Sequence, residues 1–370
     1  MFWSAIVIFI MSLCLMVLAL GLRIRSAFVS KRIKSVLTQW RAVFTGAVAA
    51  SPTNIRHDDV FTILSLWNDF NRVRTASAGV SAALLQEVAI TYQFMGLALW
   101  LLGRDAGDKL VALATIGYIR EVEALPQILA LLDDRLGDIS LAAYRALVLI
   151  HPLETDRLAR AIAVREDWRS TSVEQLLQEL GPDLISSAMV NAADDADDAQ
   201  LIALLRYFPL CDPAICGETL RAILGRLEEP NVLAAALRAA AALADPRNGP
   251  LIRALLAHAA PFVRVAAIGA LRPICGDDDR QILIEMLGDR DSWVRYRAAQ
   301  TIVEFFTHED HAGDVQRELA DRFARDALNQ VLAERSVLAS QAASHATEET
   351  ATERHGIERR PIDAMRAGPL

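Results

Sequence analysis

The chain has 370 residues, of which 53 % are hydrophobic and 23 % charged, and its mean hydropathy is +0.26. That is too apolar for a mainly disordered chain, and the 6 % of aromatics beside abundant Ala and Leu favours helix over strand. Four Cys exclude a disulfide scaffold, and a net charge of −8 argues against a generally basic nucleic-acid binder.

No charged side chain occurs over residues 1–22, and eleven strong hydrophobes lie within them. As a helix this run covers roughly 30 Å, the thickness of a hydrocarbon core. A cleaved signal peptide carries basic residues before its apolar run and small residues after it. Here nothing basic precedes the run, and Leu22-Arg23-Ile24-Arg25 follows it. The segment therefore reads as an uncleaved transmembrane anchor. Basic residues follow it and none precedes it, which predicts an N-terminus outside and the remainder in the cytoplasm.

Residues 23–50 read as a basic amphipathic helix. Arg23, Arg25, Lys31, Arg32, Lys34 and Arg41 put +6 on residues 1–48, which leaves −14 on the remainder. Ile33, Val36, Leu37, Trp40 and Phe44 share one helical face. Two readings stay open: the helix lies on an anionic leaflet, or its apolar face packs on the next domain. Arg23, Arg25, Lys31, Arg32, Lys34 and Trp40 are the candidate lipid or partner contacts.

Residues 55–104 read as an N-terminal helical cap. Val60, Ile63, Leu64 and Trp67 mark one amphipathic helix, and Leu84–Leu102 predicts a longer one. Glu87 and Arg104 bracket only 16 uncharged residues, short for a second membrane span.

Beyond residue 105 the chain repeats itself with a period of 31. Val263, Arg264, Ala267 and Leu271 map onto Val294, Arg295, Ala298 and Ile302, and the same step reaches Ala236, Ala143 and Ala112. Ile116 maps onto Leu147, Leu271 and Ile302. A second column follows the same register: Pro126 with Pro250, and Leu132 with Leu256 and Leu287. Each unit reads as two helices, the first with Ala at its crowded point and the second with a Leu/Ile face. Neither buries its apolar face alone, so units must stack. Between about 153 and 210 the register fails, with Glu174 and Leu205 at the expected Ala positions. About six units are expected.

On Pro261–Leu271 with Arg272-Pro273, on Asp289–Ile302 and on Glu123–Leu147, the sequence resembles HEAT repeats, in the short form seen in phycobilisome-lyase-type HEAT-like repeats. The resemblance, which covers about residues 105–310, implies an all-α, HEAT-like α-solenoid; Asp314–Glu334, where Val315, Leu319, Phe323, Leu328 and Leu332 form the apolar face of a charged amphipathic helix, reads as its C-terminal cap and extends the solenoid to 105–334. The resemblance further implies a scaffold that binds a protein partner at a bacterial inner membrane, such as a glycosyltransferase assembly of envelope synthesis. Residues 335–370, rich in Ser, Ala, Thr and Glu, read as a disordered tail.

No catalytic constellation emerges: there is no Gly-rich phosphate loop and no nucleophile elbow. Cys211 and Cys216 read as small buried hydrophobes. His308-Glu309-Asp310-His311 offers too few ligands for zinc. Arg264 and Arg295 form either a structural ladder with Asp289 and Asp291 or a basic row for an acidic ligand; both stand as candidate partner contacts. The expectation is a non-catalytic protein without metal or cofactor, whose partners are proteins and anionic lipid rather than nucleic acid. The competing class is a lyase-like or metal-dependent enzyme of the HEAT type.

Overall fold

A computed structural model describes residues 23, 30–48, 55–74, 81–226, 229–305, 322–337 and 341. The anchor of residues 1–22, Arg25, the His308–His311 cluster and most of the tail lie outside them. The described residues form helices and turns, with no strand among them. The chain divides into two compact units, Met1–Ala188 and Met189–Leu370.

The first unit opens with α1 (30–44), α2 (His57–Arg74), α3 (Ala82–Thr91) and α4 (Phe94–Leu102). An aromatic cluster holds them together. Trp40 lies 4.7 Å from Tyr92, and Phe94 lies 5.7 Å from Trp67, ring centre to ring centre. The Trp67 indole N–H donates to Leu85 O at 3.1 Å, so its polar end is satisfied inside the core.

The single helix predicted over Leu84–Leu102 is two helices. Gln93 takes a left-handed conformation with φ 53°, and α3 and α4 meet at 70°. The cause is in the rings. On one straight helix Tyr92 and Phe94 would point about 200° apart. The bend brings their centres within 6.3 Å and lays both against Trp40. No single described helix is long and apolar enough to cross a membrane; this bent pair has the length and composition only when taken together. Leu85, Val88, Phe94, Ala98 and Leu101 are all buried.

Next in the first unit come helix pairs: α5 (Ala106–Ile119) with α6 (Leu125–Leu129), α7 (Gly137–Ile150) with α8 (Thr155–Val164), and α9 (Ser170–Leu180) leading into α10 (Pro182–Asp194), within which the first unit ends. The second unit continues with α11 (Asp198–Leu205) and α12 (Pro213–Gly225), α13 (Pro230–Leu243) and α14 (Gly249–Leu255), α15 (Pro261–Leu271) and α16 (Arg280–Met286), and α17 (Ser292–Phe305) followed by α18 (322–337). The predicted column of small residues lies at the packed point of the first helices. Ala112 and Ala143 in one unit, and Ala236, Ala267 and Ala298 in the other, are each 0 % exposed. Within the first unit α5 packs on α7; within the second, α13 packs on α15 and α15 on α17.

The lapse of register spans two repeats: α9 starts 33 residues after α7, and α11 starts only 28 after α9. Most pairs join their two helices through a 3-10 turn, as at Val122–Ala124, Pro152–Glu154, Phe208–Leu210 and Pro246–Asn248. Between α9 and α10 the join is Gly181 alone, with φ +82°. That conformation is open to glycine and shortens the unit. Past the acidic run, Asp197 caps α11: its carboxylate accepts from Gln200 N at 2.9 Å, and Gln200 Oε1 accepts from Asp197 N at 3.1 Å.

The C-terminal helix is described from residue 322, so Val315 and Leu319 fall outside it. Its buried face is Ala324, Leu328 and Val331; Phe323, predicted on that face, is 63 % exposed.

Candidate functional site

In the first unit, successive helices leave a trough of about 850 Å³ along their exposed sides, lined from α2, α5, α7 and α9. Leu110, Ala114, Leu141 and Leu176 contribute its apolar surface, and Asp138, Gln175 and Gln178 stand among the polar groups. Two contacts fix α2 to α5 beside it. Asn68 Nδ2 donates to Val111 O at 3.0 Å, and the Thr115 hydroxyl donates to Asn68 Oδ1 at 3.1 Å.

Besides the exposed Asp69–Arg72 pair on α2, an ionic cluster spanning three helices lies in the trough. Arg145 on α7 donates through Nε to Glu179 Oε2 at 2.7 Å and through Nη2 to Glu179 Oε1. The same guanidinium lies over the Tyr118 ring at 4.6 Å, and the Tyr118 hydroxyl donates to Glu179 Oε1 at 3.3 Å. Burial acts against the Arg145 charge, but the bonds to Glu179 outweigh it and its pKa is raised. Burial first, with Glu179 beside it, lifts the Tyr118 hydroxyl above the usual phenol value. Three first helices are thereby cross-tied. Nothing in the 31-residue register announces this cluster, because Glu179 sits where the period slips.

In the second unit, Arg264 and Arg295 take their places in a ladder. Arg264 donates through Nε and Nη2 to the two Asp289 oxygens, at 2.8 and 2.7 Å. Its Nη1 donates to His258 O and Ala259 O, at 2.8 and 3.0 Å. One period later Arg295 Nη1 repeats that second contact, to Asp289 O and Arg290 O at 2.8 and 3.1 Å. Its guanidinium lies over the Phe323 ring at 5.5 Å, and its buried Nε has no hydrogen-bond partner among the described residues. Burial raises the Asp289 carboxyl, yet Arg264 and the Asp291 N–H hold it below the ordinary aspartate value. Asp291 instead caps α17, accepting from Trp293 N at 2.9 Å.

The ladder has a second member that the recurring letters of the 31-residue period do not reveal. Five periods before Arg264 and Asp289 stand Lys109 and Asp134 in the first unit. Lys109 Nζ lies 3.9 Å from Asp134 Oδ2. Asp134 accepts from the amide two residues on, Leu136 N, at 2.9 Å, as Asp289 does from Asp291 N at 2.8 Å. Lys in place of Arg hid the match.

The basic helix uses its two faces differently. Trp40, Val43 and Phe44 are buried, so the C-terminal part of its apolar face packs against the helices that follow, while Ile33 at the other end of that face is 40 % exposed. Arg32 pairs with Asp58 at 3.3 Å and Asp59 at 2.9 Å. Trp40, a candidate contact by sequence, is 9 % exposed and is spent on the aromatic core. Arg23, Lys31, Lys34 and Arg41 are exposed.

Further along the second unit, Phe262 and Trp293, one period apart, are 47 % and 70 % exposed. With Val265 and Tyr296 they border a groove of about 330 Å³ between α15 and α17. Cys211 and Cys216 are buried, and the Cys216 thiol is raised by its neighbour Cys211 and by burial. Among the described residues no cluster of three or more His, Cys, Asp or Glu side chains could hold a metal ion.

No curated protein matches the chain. The family of HEAT repeats matches residues 217–303, the stretch from α12 to α17 where the 31-residue register is most regular. That match and the all-helical architecture support a HEAT-repeat protein, a class whose stacked helices serve as scaffolds for protein–protein interaction.

Proposed function

We propose that the chain is a non-catalytic adaptor, anchored by residues 1–22 in a bacterial inner membrane, with its helical repeats in the cytoplasm. There it holds a membrane-associated protein, of the envelope-synthesis class that the HEAT resemblance implies. Its basic N-terminal region rests near the anionic leaflet. The anchor raises the local concentration of the client at the bilayer.

The observation that carries this reading is the trough of the first unit. It offers an apolar floor, side-chain amides and a largely pre-formed outline, the features of a docking surface. Its Arg145, Glu179 and Tyr118 satisfy one another, which suits a rigid support rather than acid–base chemistry on a substrate.

The test is in-cell photocrosslinking with a benzophenone amino acid at Gln175. One protein captured in stoichiometric yield, and lost when Ala142→Trp fills the trough, is the expected result. Reproducible capture of nothing would overturn the adaptor reading.

A further inference from the structure

The core uses only one face of α1. At 3.6 residues per turn, Lys31, Lys34 and Arg41 fall within an arc of about 80° on the side opposite Trp40. All three are exposed, and none has an ion-pair partner among the described residues. Arg32, about 100° round the helix, is already neutralised by Asp58 and Asp59. Thr38 lies within the arc, exposed and uncharged.

We propose that this stripe of Lys31, Lys34 and Arg41 is a docking surface for anionic phospholipid headgroups. It acts by charge alone, without insertion of the helix. The proposal rests on the anchored reading above and adds the residues and the mode of contact. An interfacial helix buries its apolar face among the acyl chains. Here Trp40, Val43 and Phe44 are committed to the protein core, so that mode is closed and headgroup charge remains.

Two features favour lipid over another polyanion. Lys31 stands nine residues beyond Leu22, the end of the uncharged apolar run, so at most about 30 Å of extended chain separates them. The rest of the chain carries −14, so the positive charge is gathered beside that run. A contact made this way weakens with salt, because the screening length falls from about 10 Å at 0.1 M to about 3 Å at 1 M.

The chain has three lysines, Lys31, Lys34 and Lys109, which permits an internally referenced test. The full-length protein is reconstituted into vesicles of phosphatidylcholine alone, or of phosphatidylcholine with phosphatidylglycerol. Lysine acylation by a water-soluble ester is then followed by mass spectrometry. In the anionic vesicles, Lys31 and Lys34 should react about fivefold more slowly relative to Lys109 than in the neutral ones. High salt should restore the rate, and Lys34→Gln with Arg41→Gln should remove the protection of Lys31.

Equal rates in the two vesicles would overturn the proposal, and so would protection that persists in neutral lipid and high salt, which signals insertion. The anchor is scored separately. If alkaline carbonate strips the chain from the vesicles, the anchored reading fails. The same acylation ratio, with vesicles added to the soluble protein, still decides the stripe.

Discussion

Arg264 does two things with one guanidinium. One edge holds Asp289, and the opposite nitrogen closes the carbonyls of His258 and Ala259. The pair is largely shielded, with side chains 14 % and 9 % exposed. Arg264→Ala leaves a nearly buried carboxylate without its partner and should cost about 2–3 kcal/mol in urea unfolding. Lys should recover less than half, because an ammonium cannot make the fork contact. The pH dependence follows from the lowered Asp289 carboxyl. A carboxyl depressed in the folded state stabilises the protein above its unfolded pKa, about 3.9 for Asp, and loses that stabilisation as pH falls through the folded value. The stability gap between the native chain and Asp289→Asn should therefore be full at neutral pH and close below about pH 4. At this scale the sequence was readable where one letter recurs. Arg264 and Arg295 share a register; Lys109 escaped because its chemistry is conserved and its letter is not. Arg145 and Glu179 lie 34 residues apart across the slipped period, so no register could have paired them.

Among the helices, closeness of approach sets what each position tolerates. A Cβ on Gly117 would sit 3.1 Å from Ala146 Cα and 3.2 Å from Leu149 Cδ1, backbone and side chain of the neighbouring α7. A Cβ on Gly96 in α4 would meet nothing within 4 Å. The same substitution should thus act in opposite senses. Gly117→Ala should destabilise by about 1–3 kcal/mol through overpacking, and Gly96→Ala should stabilise by about 0.5–1 kcal/mol through helix propensity. Urea unfolding of the two variants side by side checks the pair of signs. The Ala column was legible because a small residue at fixed spacing is a packing requirement written directly in the chain. The bend at Gln93 was not. The apolar spacing of Leu84–Leu102 fits one helix, and it is the contacts of Tyr92 with Trp40 and of Phe94 with Trp67 that the bend makes possible. Tertiary contact overrode local preference there.

At the level of the whole molecule, the modest net charge conceals a positive beginning and a negative remainder. Under the anchored proposal this asymmetry fixes orientation. A reporter that matures only outside the cytoplasm, fused after residue 335, should stay inactive; activity would reverse the proposed topology. The fold class could be read in advance because repetition supplies many independent copies of one signal. The trough could not, since it arises from how successive helix pairs within the first unit are set side by side.

The ladder also gives the array an editing rule. Each base reaches an acid 25 residues further on, as Lys109 does with Asp134 and Arg264 with Asp289. Arg295 finds Ala320 at that distance in the sequence, and its Nε has no partner among the described residues. Insert a copied 31-residue period here, wherever the cut falls, and the chain gains one closed base–acid pair while a single open arginine stays at the end. Excise a period and one closed pair disappears, with the open arginine unchanged. Growth by duplication is therefore electrostatically self-consistent at this end of the array, and shrinkage forfeits a bond.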